Sequence, residues 1–532
     1  MNERHVGLVS YANVTYDGQL RGPVPSGLML EGAPHLAGRL LQQGFMPRIF
    51  DYSSVDSVRR ISLDGQERFE EHVAEELTDY VQRNDVKALG FTLYNNGLKG
   101  ILRIASLVKK RFPSLLMIAG GPVVNYGEEV LYQMENGEVF DALCLSEGDL
   151  ALPAFAEYAY GRKPLREVPN LIFRDNSRTP VRLVNINTLP FPVYDKEIYP
   201  GIDDKIHIPV VKGSTGCRYG QCSFCVQPKI DGKFRIRDFE NLLAEVEHLR
   251  NKYGFRHIRL TDPNPFSREI VYLARHAPEG MKISAFTYTD SIDDFEEAKK
   301  ILSGIFLGVE SFKPEVLLQL NKTRDPEKYI AKARRMIENA KKAGIPSVVA
   351  VIVPVANDSV ERIDYEYRTV LELNPDSVVS MAQCPVPGTR DYYDVLQRGD
   401  ETGLRFGPDF RKDMISLELD LLRPPATWPA LPWSIRVDGE FTDKPFMINA
   451  KHFLGRLMKE HGFSPFADEN ILMAQAYHDG LPEDQKERRK VIVEFNSRMR
   501  DSIAQQDVKG LEEIVNNINS NQNPPGKNEE IK

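Results

Sequence analysis

The chain has 532 residues, of which 42% are hydrophobic and 27% charged, and its net charge is -8. This length suffices for several domains, each with its own core. The modest negative charge gives no reason to expect general nucleic-acid binding, and no stretch approaches the ~20 apolar residues of a membrane span. The apolar run after His5 is too short for a signal peptide, so we expect a cytoplasmic protein.

The first third of the chain alternates short β-rich runs with amphipathic helices. Five such segments separated by helices predict a doubly wound, Rossmann-like parallel sheet. In such a sheet the ligand site lies at the carboxyl ends of the strands, where small and turn-forming residues follow the third, fourth and fifth strands. The predicted strands are Val6–Ser10, Arg48–Tyr52, Lys87–Thr92, Leu115–Ala119 and Phe140–Leu145.

A second βα series follows a proline-rich connector. Six predicted strands separated by helices indicate a partial parallel barrel, with reactive residues in the loops after the strands. We therefore divide the chain into a first domain (1–185), a linker (186–206), a barrel (207–395), a mostly helical C-terminal domain that could cover a substrate pocket (396–518), and a disordered tail (519–532). The strands are predicted at Ile208–Lys212, Arg256–Thr261, Lys282–Tyr288, Ile305–Glu310, Ser347–Val353 and Ser377–Ala382.

Three of the five cysteines, Cys217, Cys222 and Cys225, lie in the first loop of this barrel. Three thiolates without a fourth Cys or His beside them can hold three corners of an iron–sulfur cube and leave the fourth iron open. The alternative is a zinc site, but a closed zinc site needs four ligands, and His207 would have to reach across from the preceding strand. The pattern therefore favours an iron–sulfur cluster.

With these motifs the chain resembles the cobalamin-binding radical S-adenosylmethionine (SAM) enzymes over roughly residues 1–395. The resemblance implies that the three cysteines bind a 4Fe-4S cluster whose open iron binds SAM. This family usually has three residues between the first two cysteines, whereas four separate Cys217 from Cys222. Later motifs, including Gly308-Val309-Glu310-Ser311, fall in the family's order. The implied SAM contacts are Phe224, Asp262, Asn264, Gly308, Glu310 and Ser311.

The first domain is similar to the cobalamin-binding domain of the same family. The Asp-x-His-x-x-Gly signature that supplies a histidine ligand to cobalt elsewhere is missing, because the partial match around His35 lacks the Asp. We therefore expect cobalamin without a protein histidine below the cobalt. The implied cobalamin contacts are Thr92, Tyr94, Gly120, Gly121, Pro122, Ser146, Glu147 and Gly148.

The resemblance implies an enzyme that cleaves SAM reductively and most simply acts as a methyltransferase on an unactivated carbon or phosphorus. Two alternatives stay open, namely a radical rearrangement, cyclisation or 3-amino-3-carboxypropyl transfer, and a non-catalytic corrinoid or metal sensor. Cys384, at the end of the sixth barrel strand, is a catalytic candidate, although a strand-end thiol more often fills the core. We expect a small-molecule or peptide substrate and an electron donor such as flavodoxin or ferredoxin.

Overall fold

The computed structural model describes residues 3–16, 18–418 and 430–522. They form two large sheets with helices on their faces, followed by a mostly helical C-terminal part. The predicted α/β fold class, with a first parallel sheet, a partial barrel and a helical end, is confirmed. Among the described residues, no helix is both long and apolar enough to span a membrane.

The first sheet has the order β5-β1-β6-β7-β8-β9, with only the last pair antiparallel. All five predicted strands are present, and their apolar side chains are buried because helices cover both faces. The helices are α1 (Ala33–Gln42), α2 (Val55–Arg83), α3 (Leu98–Arg111), α4 (Pro122–Leu131) and α5 (Gly148–Ala159). The strands of this part of the chain are β1 (His5–Ser10), β2 (Asn13–Tyr16), β3 (Gln19–Pro23), β4 (Met29–Leu30), β5 (Met46–Asp51), β6 (Ala88–Thr92), β7 (Leu116–Gly120), β8 (Ala142–Cys144) and β9 (Leu171–Ile172). Of these, β2 and β3 pair with each other in a separate two-stranded sheet, and β4 belongs to the second sheet.

The second sheet contains the six predicted barrel strands, all parallel, in the order β17-β16-β15-β14-β13-β10. The strands of this part of the chain are β10 (Ile206–Val211), β11 (Ser214–Thr215), β12 (Arg235–Ile236), β13 (His257–Leu260), β14 (Lys282–Thr287), β15 (Leu302–Glu310), β16 (Ser347–Ile352) and β17 (Ser377–Met381). Strands β11 and β12 pair with each other in a separate two-stranded sheet. The helices are α6 (Gln227–Asp231), α7 (Phe239–Tyr253), α8 (Ser267–His276), α9 (Phe295–Ala298), α10 (Pro314–Gln319), α11 (Pro326–Ala343), α12 (Val360–Leu373) and α13 (Arg390–Arg398).

A seventh strand at the edge of the barrel sheet comes from the first domain. Strand β4 pairs in parallel with β10, through Met29 with Ile206 and Leu30 with Pro209. A two-residue strand has no period that a sequence pattern can detect, so this pairing was not predicted. It joins the first domain to the barrel through backbone hydrogen bonding.

The C-terminal part packs against the barrel sheet. Ile471 of α17 lies against Gly304 of β15, where a Cβ would be 3.0 Å from the isoleucine side chain. The strands are β18 (Leu404–Phe406), β19 (Trp433–Val437) and β20 (Glu440–Thr442). The helices are α14 (Phe410–Ile415), α15 (Pro445–His452), α16 (Leu454–His461), α17 (Asp468–His478), α18 (Gln485–Gln505) and α19 (Val508–Gln522).

The prediction of disorder from Asn519 onward is wrong for its first four residues. Helix α19 continues to Gln522, whose Oε1 accepts hydrogen bonds from the backbone N–H groups of Arg256 (2.7 Å) and His257 (3.1 Å). The polar composition indicated disorder, but the contacts of Gln522 Oε1 with backbone donors of the barrel hold the end of the helix in place. Residues 523–532 lie outside the described residues.

Candidate functional site

The loop that carries the three cysteines begins just after β10 and is fixed at its base. Asp262, which follows β13, is fully buried and accepts hydrogen bonds from the Gly213 backbone N–H (2.7 Å) and the Ser214 hydroxyl (2.5 Å). Strands β11 and β12 pair across the start of the loop, through Ser214 with Ile236 and Thr215 with Arg235. The loop therefore leaves the barrel from a hydrogen-bonded base.

The longer spacing between Cys217 and Cys222 is accommodated by contacts on both sides. Arg218 donates from Nη2 to Asn264 Oδ1 (2.6 Å), and its guanidinium lies 4.1 Å from the centre of the Phe266 ring. Tyr219 donates its hydroxyl to the Asn321 carbonyl (2.8 Å). Gly220 has a φ of +59°, a conformation that glycine adopts without a Cβ penalty.

The three thiols lie on this one loop and are partly exposed. Burial raises the pKa of Cys222 to about 12, and the charges of Glu310, Cys225 and Cys217 act in the same direction. In the described part of the chain, no group of three His, Cys, Asp or Glu side chains is arranged around a single metal ion. The donor set is three thiols on one loop, which matches the ligands of a 4Fe-4S cluster with one open iron.

His207, the alternative fourth ligand, belongs to another region. It lies near the start of β10, whereas the cysteines follow the end of that strand. Its ring Nε2 is 3.2 Å from the Ile202 carbonyl, and burial lowers its pKa. A strand advances by about 3.3 Å per residue, so the histidine and the thiols are at opposite ends of β10.

A buried ion pair lies beside the thiols. Lys322 Nζ is 2.9 Å from Glu310 Oε1, and both charges act on the pKa of Cys222. Glu310 has a left-handed backbone (φ +69°) next to a register shift between β15 and β16, which turns it out of the strand. A Cβ on Gly308 would lie 2.9 Å from Glu310 Oε1, so glycine leaves room for the pair.

The other SAM candidates surround the same loop in different ways. Asn264 is buried and receives the hydrogen bond from Arg218, and Ser311 is fully buried and hydrogen-bonded to Glu366. Phe224 packs against a small cluster formed by Val316, Leu320, Ile352 and Val355. The structure thus brings all the candidates to the carboxyl end of the barrel, while direct SAM contact stays a prediction for each of them.

A cavity of about 380 Å³ lies between the two sheets. Its wall contains all eight residues that the resemblance implied for cobalamin, together with Val210, Lys212, Ser214 and Thr215 from the base of the cysteine loop. Gly121 takes a φ of +101°, and a Cβ there would lie 2.9 Å from the Leu93 carbonyl oxygen. Glycines and apolar side chains at strand ends make a wall that a large flat ligand can approach closely.

Several polar residues of the cavity wall were missed by sequence reasoning. Tyr94 donates its hydroxyl to Glu31, and Tyr199 donates to Asp51 Oδ2 (2.5 Å), which is also paired with buried Lys205 (2.9 Å). Burial raises the pKa of Glu31. Tyr94 was already among the predicted cobalamin contacts. Its partner Glu31 and the group of Tyr199, Asp51 and Lys205 come from separate segments of the chain, so no local motif could have identified them.

Glu147 connects the first domain to the barrel. Its carboxylate accepts hydrogen bonds from Arg235 (2.6 and 3.0 Å) and from the Val184 backbone N–H (2.8 Å). This carboxylate is one of the eight predicted cobalamin contacts, and the structure also uses it to hold β12 against the cavity. The Glu147–Arg235 ion pair therefore links the first-domain wall of the cavity to the barrel wall.

Cys384 lies away from the three clustered cysteines. Its Sγ is 3.9 Å from the Met414 sulfur, and burial raises the pKa of the thiol far above its usual range. Such a thiol stays protonated and is a poor nucleophile. These contacts agree with the packing interpretation of Cys384, and its catalytic role remains an untested prediction.

Residues 211–365 match the family model described as the radical SAM superfamily. The chain contains a radical SAM domain. This domain begins at the end of β10, includes the cysteine loop and the Glu310–Lys322 pair, and extends into α12.

Solved structures extend the similarity beyond the radical SAM domain. The methyltransferase TsrM from Kitasatospora setae, solved with cobalamin and a [4Fe-4S] cluster, superposes with a TM-score of 0.64 at 15% identity, covering 94% of this chain and 100% of that one. OxsB, solved with aqua-cobalamin and S-adenosylmethionine, gives 0.56 at 14% identity over 95% of this chain and 72% of that one. The chain thus has the fold of cobalamin-dependent radical SAM enzymes.

A curated relative matches a shorter region. The anaerobic magnesium-protoporphyrin IX monomethyl ester cyclase of Cereibacter sphaeroides is 27% identical over 206 residues, which is 36% of this chain and 32% of the relative. The chain therefore spans about a third of the length of that relative.

Proposed function

We propose that the protein is a cobalamin-dependent radical SAM methyltransferase that acts on an unactivated carbon or phosphorus centre of a small molecule or peptide. One observation carries this proposal. A single cavity is bounded by the predicted cobalamin residues on one side and by Ser214 and Thr215 on the other. These two residues directly precede Gly216 and Cys217, so a ligand filling the cavity would lie against the base of the cysteine loop.

Cys217, Cys222 and Cys225 would hold the cluster, and the glycine-rich strand ends of the first domain would hold cobalamin. When bound, these groups supply reductive cleavage of SAM and methyl transfer. The protein's own residues would position these groups and exclude water from the cavity. The C-terminal helices pack on the barrel sheet, and the Glu147–Arg235 pair joins the cavity wall to β12.

The Glu310–Lys322 pair lies beside Cys222, so it is a candidate to contact SAM bound at the cysteine loop. Lys322 is buried, and its hydrogen bond to Glu310 orients the carboxylate. We propose that Glu310 accepts hydrogen bonds from polar groups of SAM, with Lys322 as its positioning partner. Electrons for the cluster would come from a flavodoxin or ferredoxin.

Product analysis tests the proposal. Protein purified without oxygen should contain iron, sulfide and a corrinoid, and with SAM and a reductant it should form S-adenosylhomocysteine together with 5'-deoxyadenosine. Methylthioadenosine as the only SAM product would contradict methyl transfer and favour 3-amino-3-carboxypropyl transfer. Both cofactors without any SAM cleavage would favour the sensor alternative.

Cyclisation or rearrangement is the second candidate function. It is favoured by the curated relative, which is named as a cyclase and matches this chain over 206 residues. In that case 5'-deoxyadenosine should form without S-adenosylhomocysteine, and the substrate should change its structure without gaining a methyl group.

A further inference from the structure

Two buried carboxyl groups meet at the base of the cysteine loop. Asp262 follows β13, and Glu269 lies in the first turn of α8. Both side chains are fully buried and they contact each other. Sequence reasoning treated Asp262 as a SAM contact and did not single out Glu269.

The two carboxyl groups differ in the number of hydrogen bonds that they accept. Asp262 already accepts from the Gly213 N–H and the Ser214 hydroxyl. No donor of good geometry reaches either carboxyl oxygen of Glu269 from the described residues. Two ionised carboxylates side by side would leave Glu269 buried, charged and without a donor, which is a costly arrangement. A proton on Glu269 turns it into the donor that the pair lacks.

The packing leaves little freedom for Glu269. A Cβ built on Gly213 would lie 1.9 Å from Glu269 Oε1, so the carboxyl group sits directly against the glycine backbone. Gly213 is four residues before Cys217. Movement of the carboxyl pair would therefore be passed directly to the start of the cysteine loop.

We propose that Glu269 is protonated at neutral pH, donates a hydrogen bond to Asp262, and through Asp262 positions the base of the cysteine loop. This inference rests on the proposed function, because the loop is taken to carry the cluster. Glu269 is a positioning residue, since it acts through Asp262 and Gly213 and does not touch the cysteines.

Electrostatics supports the same assignment. Burial first, and then the charge of Asp262, raise the pKa of Glu269 above its ordinary value of 4.5. The Phe266 backbone N–H and then the charge of Arg218 oppose this shift. Lys212 acts in its favour, because it lowers the pKa of Asp262 and so keeps the charge that raises the pKa of Glu269. Because the folded protein holds a proton that the unfolded chain releases near pH 4.5, the contribution of Glu269 to folding stability should fall as the pH rises from about 5 through neutrality.

The test compares Glu269→Gln, Glu269→Leu and wild type as anaerobically reconstituted full-length protein. The amide of Gln donates like a protonated carboxyl group, whereas Leu cannot donate. We expect Glu269→Gln to keep the iron and sulfide content of wild type, and Glu269→Leu to lose it. The urea midpoint of unfolding should fall from pH 7 to pH 9 for wild type, a range above the titration of His257, and should change less for Glu269→Gln.

Glu240→Gln is the matched control, because Glu240 occupies the first turn of the preceding barrel helix but is exposed. It should keep the wild-type pH dependence. The proposal is overturned if Glu269→Gln has the same pH dependence as wild type, or if it loses as much cluster as Glu269→Leu. A wild-type protein that binds no cluster would refute the proposed function, while the urea midpoints would still test the proton on Glu269.

Discussion

Glu310 and Lys322 form a 2.9 Å ion pair that lies beside the Cys222 thiol and is shielded from solvent. Lys322 also lies 5.3 Å from the centre of the Tyr288 ring, and Tyr329 donates its hydroxyl to the Gly308 carbonyl (2.7 Å). Two tyrosine side chains of the barrel, Tyr288 and Tyr329, therefore lie next to the pair. A buried charge that loses its partner is strongly destabilising, which gives the first prediction.

Lys322→Met should lower the free energy of unfolding by about 2 kcal/mol, because Glu310, whose side chain is only 13% exposed, would be left without a counter-charge. Glu310→Gln combined with Lys322→Met should recover much of that loss. Urea denaturation measures both variants. Lys328→Met, at an exposed position of α11, is the control and should change stability by less than about 0.5 kcal/mol. Equal losses for Lys322→Met and Lys328→Met would contradict the prediction.

Cys222→Ala should abolish the visible absorbance and the iron content of the reconstituted protein, because two thiolates cannot hold the cluster in place of three. Cys384→Ala is the matched control, since Cys384 packs against Met414 outside the cysteine loop. It should retain iron and sulfide. Loss of iron in both variants, or in neither, would contradict the assignment of the cluster to the loop.

Gly120→Leu should reduce corrinoid binding while leaving the cluster in place. Gly120 lines the cavity and has space for a Cβ, with its closest contact 3.6 Å away at Cys144. The added side chain would occupy the cavity, and overpacking of about 1–3 kcal/mol corresponds to roughly 5- to 150-fold weaker binding. Corrinoid titration followed by visible spectroscopy measures it. Gly201→Leu, outside the cavity wall, should bind corrinoid like wild type.

His257 should make the protein less stable in mild acid. Its Nδ1 is 3.2 Å from Gln522 Oε1, and burial lowers its pKa from 6.5 to about 4. The unfolded chain takes up a proton near pH 6.5, so stability should be lost progressively from there toward pH 4, by about 3 kcal/mol in total. His257→Asn should reduce this pH dependence in thermal unfolding. The exposed His276→Asn should leave it unchanged.

The periodicity of hydrophobic residues in the sequence predicted much of the fold. The eleven predicted strands of the two sheets are all present, because each is a short apolar run bounded by turns and helices. The sequence also indicated an iron–sulfur cluster, because its three predicted ligands, Cys217, Cys222 and Cys225, lie within nine residues of one another. Glycine-rich turns after the strands likewise identified part of the cavity wall.

The tertiary structure decided what depends on distant parts of the chain. Pairing of β4 with β10, the hydrogen bond of Gln522 to His257 in β13, and the contact of Glu269 with Gly213 each join segments that are far apart in the sequence. Hydrophobic periodicity indicates which side of a helix or strand is buried. It does not indicate which buried polar groups contact each other. Sequence thus predicted the cysteine loop, and only the packed structure showed how it is held.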